Sequence, residues 1–322
     1  MRVLFFGTSA FAVPALQALH AARDRHTILG VVTQPDKPSG RGMKLQFSPV
    51  KQCALELGYE VYQPERVRRK PFPAFVAELS PDALAVVSFG QIIPEAMLAL
   101  PRFGGINVHA SLLPRWRGAA PIHHAILAGD VETGVATMQM EATLDTGPIY
   151  REAREPILPT DTVASLEPRL ALKGGVLLVE TLDLLEQGTL SPTPQTESGM
   201  VYASPVTREI GFLDPSTMPA VVLERKVRGT APKPGAFISI AGRTLKVLEA
   251  RVEAPFDQSS PPPSIVPGIV LAVRRDGVAL STIEGVLVLQ RVQPENKGAM
   301  NASDWARGAR IAVGDPAHAP ES

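Results

Sequence analysis

The sequence contains a single cysteine, Cys53, among 322 residues. One thiol cannot form an internal disulfide, and it cannot build a zinc site that uses several cysteines. A lone cysteine in a long chain is most often a small buried apolar residue. We therefore expect Cys53 to lie in the interior and the protein to work in a reducing compartment.

The sequence also lacks an excess of either charge. Lys plus Arg and Asp plus Glu number 32 each, so the formal net charge is zero. This balance gives no sign of general binding to nucleic acid or to a membrane surface, and any basic binding surface has to be local. No apolar run has membrane-spanning length, and residues 1–6 begin a strand pattern rather than a secretion signal. We expect a cytoplasmic protein that acts as a monomer.

Several common catalytic and binding motifs are missing. The turn after the first predicted strand, residues 7–11, matches neither the dinucleotide-binding G-x-G-x-x-G pattern nor a P-loop. No serine or cysteine stands in a G-x-S-x-G setting, which disfavours a covalent acyl intermediate. No two histidines have the i, i+4 spacing of a helical zinc site, so we predict no metal.

The pattern of apolar residues changes along the chain. Hydrophobic residues make up 45% and charged residues 20%, as in globular proteins, and the length favours two domains. Short apolar runs alternate with helical patterns up to residue 186, which predicts a parallel-rich sheet with crossover helices. Five strand-like runs between residues 235 and 292 predict a small β-barrel or a β-sandwich. We predict a first domain at 1–188, a Gly, Ser, Thr and Pro-rich linker at 189–206, and a second domain at 207–322.

Asn107 and His109 stand two positions apart in the run Gly-Ile-Asn-Val-His at residues 105–109. The run predicts a strand, and the two-residue period of a strand places both polar side chains on one face. The amide has two N–H donors and a protonated imidazole can also donate, so the pair could stabilise an oxyanion that forms at a carbonyl carbon. In an open parallel sheet, ligands bind near the carboxyl ends of the strands.

Asp145 is the candidate carboxylate partner of His109. It follows a predicted strand at residues 133–140, which one crossover helix separates from the Asn107 strand. A right-handed connection would place the two strands beside or near each other and bring Asp145 to the same rim, where it would orient His109 and favour its charged form. Asparagine and aspartate are also common turn residues. Spacing alone therefore leaves a catalytic group and a structural turn both open.

Residues 34–49 form a loop much longer than most strand-to-helix connections. The loop contains glycines and the cations Lys37, Arg41 and Lys44. An arm that orders on a phosphate backbone would have this composition, and so would an ordinary solvated loop. Residues 66–70 form a second basic run, which we interpret as a solvated face.

Longer motifs extend beyond these single residues. Residues 107–109 (NVH), residues 111–114 (SLLP) and the distant Asp145 together resemble the folate-dependent formyltransferases. Residues 111–122 (SLLPRWRGAAPI) and 34–42 (QPDKPSGRG) narrow the resemblance to members that act on methionyl-tRNA, and residues 48–51, 129–135 and 138–140 share it. In the second domain, residues 234–236 and 296–300 are also similar to the family.

The resemblance implies the transfer of a formyl group from 10-formyltetrahydrofolate, bound as co-substrate, to methionine on initiator methionyl-tRNA. It implies a Rossmann-like α/β formyltransferase domain followed by a smaller OB-like β-barrel that binds tRNA. It also implies Asn107, His109 and Asp145 as catalytic residues. The folate site implied in this way comprises Phe89, Gly90, Gln91, Ile92, Ser111, Leu112, Leu113 and Pro114.

The candidate tRNA contacts centre on Arg41, which the resemblance places in the loop that reads the acceptor end of the tRNA. Lys37 and Lys44 are its basic neighbours, and Arg228 and Lys233 belong to a cluster of cations in the second domain. The second domain departs from the family pattern, because Lys233 stands where family members commonly have an aromatic residue. An acidic-aromatic pair expected after the linker is also missing.

Three rival interpretations stay open at this point. The first is a folate-dependent formyltransferase that acts on an amino sugar or another small amine. The second is a nicotinamide dehydrogenase with the same sheet architecture, against which the missing G-x-G-x-x-G motif counts. The third is an RNA-binding protein without catalytic activity.

Overall fold

The computed structural model describes residues 1–39, 44–253 and 266–320, and it divides the chain into two compact units. The first unit comprises residues 1–121, 132–156 and 167–203. The second comprises residues 122–131, 157–166 and the chain from residue 204 onwards. The first unit therefore extends past the predicted boundary at residue 188, and two short segments of the predicted first domain belong to the second unit.

The strands up to residue 203 are β1 (Arg2–Gly7), β2 (Thr27–Val32), β3 (Lys37–Ser39), β4 (Lys44–Gln46), β5 (Val61–Tyr62), β6 (Ala83–Val87), β7 (Gly105–His109), β8 (Arg115–Gly118), β9 (Glu132–Gln139), β10 (Ile149–Pro156) and β11 (Val201–Ala203). The helices over the same range are α1 (Val13–Ala21), α2 (Pro49–Glu56), α3 (Phe72–Leu79), α4 (Glu95–Leu98), α5 (Pro121–Ala128) and α6 (Val163–Glu186). Cys53 is buried in α2, as predicted.

The main sheet of the first unit has seven strands in the order β10, β9, β7, β6, β1, β2, β5. From β7 to β5 all neighbouring strands are parallel. β9 runs antiparallel to β7, and β10 runs antiparallel to β9. This arrangement confirms the predicted α/β domain with a parallel-rich sheet. Two small additional sheets pair β8 with β11 and β3 with β4.

The central strands form because apolar residues are buried on both of their faces. Residues 3–6 of β1 are fully buried, and so is the whole of β6 apart from Val86, which is 5% exposed. Sheets covered on both faces have continuous apolar runs of this kind. On one face, Leu4 and Phe6 pack with Leu84 and Val86. The Phe6 ring also meets Phe89 edge-to-face, with ring centroids 5.3 Å apart.

The direction of β9 differs from the predicted one. It pairs with β7 as expected, but it runs antiparallel, with Ile106 opposite Gln139 and His109 opposite Ala136. The sequence also gave no prediction for β10, which follows it. β10 lies at the edge of the sheet and carries charged residues such as Arg151 and Arg154, so it lacks the apolar run of a buried strand.

The second unit contains a seven-stranded antiparallel sheet. Its strands are β12 (Ala236–Ile240), β13 (Arg243–Glu253), β14 (Val270–Arg274), β15 (Gly277–Ser281), β16 (Val286–Pro294), β17 (Met300–Asn301) and β18 (Ala317–His318), and its later helices are α7 (Ala220–Thr230) and α8 (Ala302–Ala309). The sheet order is β14, β15, β16, β13, β12, β18, with β17 paired to β16.

The two ends of this sheet are joined by backbone hydrogen bonds. The Val270 N–H donates to the Asp315 carbonyl at 2.9 Å, and the Ala317 N–H donates to the Gly268 carbonyl at 2.7 Å. These bonds curl the sheet and connect its first and last strands, which confirms the predicted barrel. Its interior is filled by buried apolar side chains, including Leu223 on α7. Within the described ranges, no helix is both long enough and apolar enough to cross a bilayer.

Candidate active site

His109 is fixed at the end of β7 by a hydrogen bond from one ring nitrogen. Its Nε2 lies 2.9 Å from the Trp116 carbonyl oxygen, and the side chain is only 6% exposed. A carbonyl can only accept, so this contact requires a proton on Nε2. The other ring nitrogen, Nδ1, is therefore the atom that faces Asp145.

Asp145 lies beside His109, with Oδ2 3.7 Å from Nδ1. The same carboxylate oxygen accepts a hydrogen bond from the backbone N–H of Gly118 at 2.9 Å. The route by which Asp145 reaches His109 differs from the predicted one. Asp145 belongs to the loop between β9 and β10. Because β9 is antiparallel to β7, this loop does not start at the carboxyl end of a parallel strand. The loop has to fold back to bring the carboxylate to His109.

The Asn107 amide is half-buried on β7, between Val86 of β6 and Met138 of β9. Asn107 and His109 are two residues apart on this strand, so their side chains lie on the same face. Within the part of the chain that the structure describes, the Asn107 amide makes no side-chain hydrogen bond. Its two N–H donors are available to a bound molecule.

The four residues after the strand, predicted to line the folate site, differ in exposure. Ser111 is fully buried, and its hydroxyl donates to the Arg115 carbonyl at 2.6 Å. Leu113 is buried and packs with Ala136 and Met138. Leu112 and Pro114 are half-buried. The Ser111 and Leu113 side chains therefore hold the turn in place, and Leu112 and Pro114 keep accessible surface.

The residues from Phe89 to Ile92 form the loop after β6. The Phe89 ring is buried, and its carbonyl accepts hydrogen bonds from the Thr8 hydroxyl and the Gln34 amide. The Gln91 side chain is engaged at both ends, because it accepts from the Val67 N–H and donates to the Pro64 carbonyl.

The backbone of three residues in this loop is not hydrogen-bonded within the described part of the chain. No other described residue forms a hydrogen bond with the backbone of Gly90, Gln91 or Ile92. Ile92 is also 80% exposed. The main chain of these three residues can therefore contact a ligand.

Two open cavities lie in the first unit. One has a volume of about 480 Å³ and is lined by Gln34, Pro35, Lys37, Glu65, Arg66, Arg68, Gln91 and Ile92. The other has a volume of about 440 Å³ and is lined by Glu95, Leu98, Ala99, Gln139, Met140, Glu141, Ala142 and Thr143. The first contains part of the predicted basic run at 66–70, so this run faces a concave surface.

The base of the long loop at 34–49 is held by an ion pair. The Lys51 ammonium is 2.6 Å from Asp36, and the Gln63 amide donates to the same carboxylate at 2.8 Å. The Lys51 hydrogen bond, with help from Gln63, lowers the pKa of the Asp36 carboxyl. Lys37 is exposed and donates to the Gln34 side chain at 3.1 Å.

The other two cations predicted in this loop have no described side chain. Lys44 begins β4, which pairs with β3. Arg41 lies outside the described residues.

Arg228 and Lys233, the predicted tRNA contacts of the second domain, have different surroundings. The Arg228 guanidinium pairs with Glu224 and donates to the Asp161 carbonyl at 2.9 Å, and its side chain is only 16% exposed. Lys233 is exposed. Lys233 is therefore free to meet a ligand from solvent, whereas Arg228 is engaged inside its own unit.

Gln195 contacts the Asp145 loop, and sequence reasoning missed it. It lies in the segment predicted as a linker, and its amide donates to the carbonyls of Asp145 and Gly147. The segment has no apolar periodicity, so no local signal marks Gln195. Only a comparison of many related sequences could have singled it out.

Gly147 is required by the close approach of another strand to the Asp145 loop. A Cβ at this position would lie 1.9 Å from the Gln139 carbonyl oxygen of β9. We expect Gly147→Ala to destabilise the first unit by about 1–3 kcal/mol, because backbone has to move to relieve the clash. Thermal unfolding followed by calorimetry measures the loss. Gly298→Ala is the control, since a Cβ there meets no atom within 4 Å; equal midpoints for the two variants would contradict the prediction.

The chain matches the formyl transferase family over residues 1–182 and the formyl transferase C-terminal domain over residues 205–310. The methionyl-tRNA formyltransferase of Acidithiobacillus ferrooxidans is 48% identical to it, covering 98% of this chain and 97% of the relative. The methionyl-tRNA formyltransferase of Myxococcus xanthus is 45% identical, covering 97% of this chain and 96% of the relative. The chain belongs to the methionyl-tRNA formyltransferase family.

A solved structure shares the fold of this formyltransferase chain. The sugar 3N-formyl transferase WlaRD, studied in the presence of dTDP and 5-N-formyl-THF, matches with a TM-score of 0.65. The match covers 92% of this chain and 99% of WlaRD, at 17% sequence identity. At this identity the likeness establishes the fold alone. Membership of the formyltransferase family rests on the full-length relatives, and it makes the protein a formyl-transferring enzyme.

Proposed function

We propose that the protein transfers the formyl group of 10-formyltetrahydrofolate to the α-amino group of methionine on initiator methionyl-tRNA. The product, N-formylmethionyl-tRNA, serves translation initiation. The relatives that carry this activity in their names match the chain over nearly its full length at 45–48% identity. The observation that carries the chemistry is the contact of His109 with Asp145 on the face of β7 that also holds Asn107.

The reaction begins when the methionine amine attacks the formyl carbon. A C–N bond forms, and the carbonyl oxygen becomes the oxyanion of a tetrahedral intermediate. Asn107 donates hydrogen bonds to this oxygen, and protonated His109 supplies positive charge beside it. Donors that are already in place stabilise the charge without the cost of reorienting solvent. The free amide of Asn107 and the fixed ring of His109 meet this requirement.

Asp145 has two roles in the proposed reaction. Its carboxylate lies 3.7 Å from His109 Nδ1 and orients the ring, and through a water molecule it accepts the proton that the attacking amine loses. Collapse of the intermediate then breaks the bond between the formyl carbon and N10 of the folate. N10 takes up the proton, so tetrahydrofolate leaves and the formyl group stays on the methionine nitrogen.

The proposed folate site combines the two loops that follow β6 and β7. Backbone groups of Gly90, Gln91 and Ile92 would contact the pterin, since they are not used by other described residues. Leu112 and Pro114 would supply apolar surface. Four further side chains would hold this surface in place, because they are buried or already hydrogen-bonded. They are those of Phe89, Gln91, Ser111 and Leu113.

The proposed tRNA contacts are the cations Lys37, Arg41, Lys44 and Lys233. Arg228 is left out, because its guanidinium is bound to Glu224 and to a backbone carbonyl.

The single buried cysteine is in keeping with work in the cytoplasm. We also propose that the enzyme acts as a monomer there.

Arg41→Ala is expected to raise KM for methionyl-tRNA and to leave the chemical step intact, since Arg41 is proposed to contact phosphate. Each lost phosphate contact also lowers the slope of log affinity against log salt by about 1. Steady-state kinetics at several salt concentrations measure both quantities. Arg23→Ala, a loss of the same charge at an exposed position outside the loop, should change neither. A loss of kcat alone would contradict the assignment of Arg41.

The decisive test of the proposed function is a direct assay. The enzyme is incubated with charged initiator tRNA and 10-formyltetrahydrofolate, and the amino acid released from the tRNA is analysed for formylmethionine. A nucleotide-linked amino sugar is offered in parallel as the alternative acceptor. Formylmethionine without formylated sugar is the expected result, and the opposite outcome would assign the enzyme to small amines. Intact tRNA binding without formyl transfer would favour the non-catalytic alternative.

A further inference from the structure

Gln195 is held by both ends of its side-chain amide. Its Nε2 donates to the Asp145 carbonyl at 2.9 Å and to the Gly147 carbonyl at 2.7 Å. Its Oε1 accepts from Arg117 Nε at 2.9 Å. Every other residue from 191 to 199 is exposed, whereas Gln195 is half-buried. The segment therefore turns one side chain inwards, onto the loop that carries the carboxylate.

The backbone on both sides of Gln195 is anchored to the first unit. Thr193 exchanges two backbone hydrogen bonds with Ile149 at the start of β10, at 2.7 and 2.8 Å. On the other side, β11 pairs with β8 in parallel. We call residues 193–203 the strap. The strap holds Gln195 from two directions, so its amide occupies a defined position over the loop.

The Asp145 loop needs such support because Asp145 has a left-handed backbone conformation. Its φ is +54°, which costs a residue with a Cβ about 1 kcal/mol or more unless its surroundings hold it there. The Asp145 side chain is held by the Gly118 N–H. Gln195 adds two hydrogen bonds to the main chain of the loop, at the carbonyls on both sides of Thr146.

Arg117 sets the direction in which the Gln195 amide points. It is buried, with a side chain only 3% exposed, and Arg117 Nη1 is 3.6 Å from the Glu197 carboxylate. Because a guanidinium only donates, the Gln195 oxygen has to face Arg117 and the Gln195 nitrogen has to face the two carbonyls. Arg117 also stands between Trp116 and Gly118, which bind His109 and Asp145 respectively. One buried arginine therefore links both partners of the pair to the strap.

We propose that Gln195 is a positioning residue that acts through Asp145, holding the carboxylate at its distance from His109. This inference rests on the proposed function, in which Asp145 sustains His109 and takes part in proton transfer. Without the two donors of Gln195, the loop is free to relax from its left-handed conformation, and the carboxylate moves relative to the imidazole. A displacement of about 1 Å in a reacting group can slow turnover about 100-fold.

Gln195→Glu is the sharpest variant, because glutamate has nearly the same shape. One carboxylate oxygen can still accept from Arg117, but the other faces two carbonyl oxygens and repels them. We expect kcat to fall about 10- to 100-fold. KM for both substrates should stay within about twofold, because no proposed substrate contact is removed. Gln187→Glu makes the same chemical change at an exposed position and should leave kcat and KM unchanged.

A double-mutant cycle with Asp145→Asn separates positioning from general structural support. If Gln195 acts through Asp145, Gln195→Glu lowers kcat much less in the Asp145→Asn background than in the native enzyme. An equal loss in both backgrounds overturns the inference, and so does an unchanged kcat in Gln195→Glu itself. If Gln195→Glu does not fold, Gln195→Met replaces it with the same expectations. If Asp145→Asn alone keeps full turnover, the proposed catalytic role of Asp145 is the part that has failed.

Discussion

Asn107→Ala is expected to lower kcat about 100- to 1000-fold, the usual cost of removing one oxyanion donor, equivalent to about 2.7–4 kcal/mol of barrier. The amide makes no hydrogen bond to other described residues, so its removal leaves no protein group without a partner. The fold should therefore be retained. Single-turnover rates at saturating concentrations of both substrates measure the effect on the chemical step.

The same variant should bind tRNA and folate almost normally, because the oxyanion exists only after attack has begun. Binding of methionyl-tRNA, measured in the absence of the formyl donor, tests this separation. Asn301→Ala removes an exposed asparagine amide from the second unit and serves as the control. Parallel losses of turnover and of tRNA affinity would assign Asn107 to substrate binding instead of oxyanion stabilisation.

Asp145→Asn is expected to lower kcat by about two to four orders of magnitude, the range typical of general acid–base groups. The substitution keeps the size of the side chain, and the new amide oxygen can still accept from the Gly118 N–H. What disappears is the negative charge 3.7 Å from His109 Nδ1 and the capacity to take up a proton. The effect should therefore be chemical, with little change in the unfolding midpoint.

The kinetic pattern of Asp145→Asn distinguishes catalysis from folding. We expect KM for both substrates to stay nearly constant while the single-turnover rate falls. Asp24→Asn neutralises an exposed carboxylate elsewhere on the first unit and should be silent. A normal single-turnover rate in Asp145→Asn would remove the carboxylate from the catalytic group, even though it lies beside His109.

The central part of the fold could be predicted from the sequence because its residues are buried on both faces. The strand at Gly105–His109 has the predicted bounds. Its apolar residues recur with the two-residue period of a strand. The small strands β8 and β11 and the edge strand β10 were not predicted. Each is short or carries charge, so its pairing depends on the neighbouring strand instead of a local pattern.

The positions of the site residues could be predicted from the sequence only in part. Asn107 and His109 share a face because of the two-residue period of a strand, which can be derived from their spacing. Asp145 was expected beside them, but the predicted path of the chain leading to it was wrong, because β9 runs antiparallel to β7. A helix between two strands does not by itself decide whether they pair in parallel. Strand direction had to come from the structure.

The sequence by itself determined the kind of residues available for catalysis, the parallel-rich domain, the barrel and the resemblance to a family. These follow from local periodicity and from contiguous motifs. Only the tertiary structure decided that Asp145 approaches His109 from a folded-back loop, and that Gln195, 50 positions later in the chain, holds that loop. The physical reason is that a hydrogen bond between distant residues needs only one donor and one acceptor that the fold brings together. Such a bond leaves no periodic pattern in the sequence around either residue.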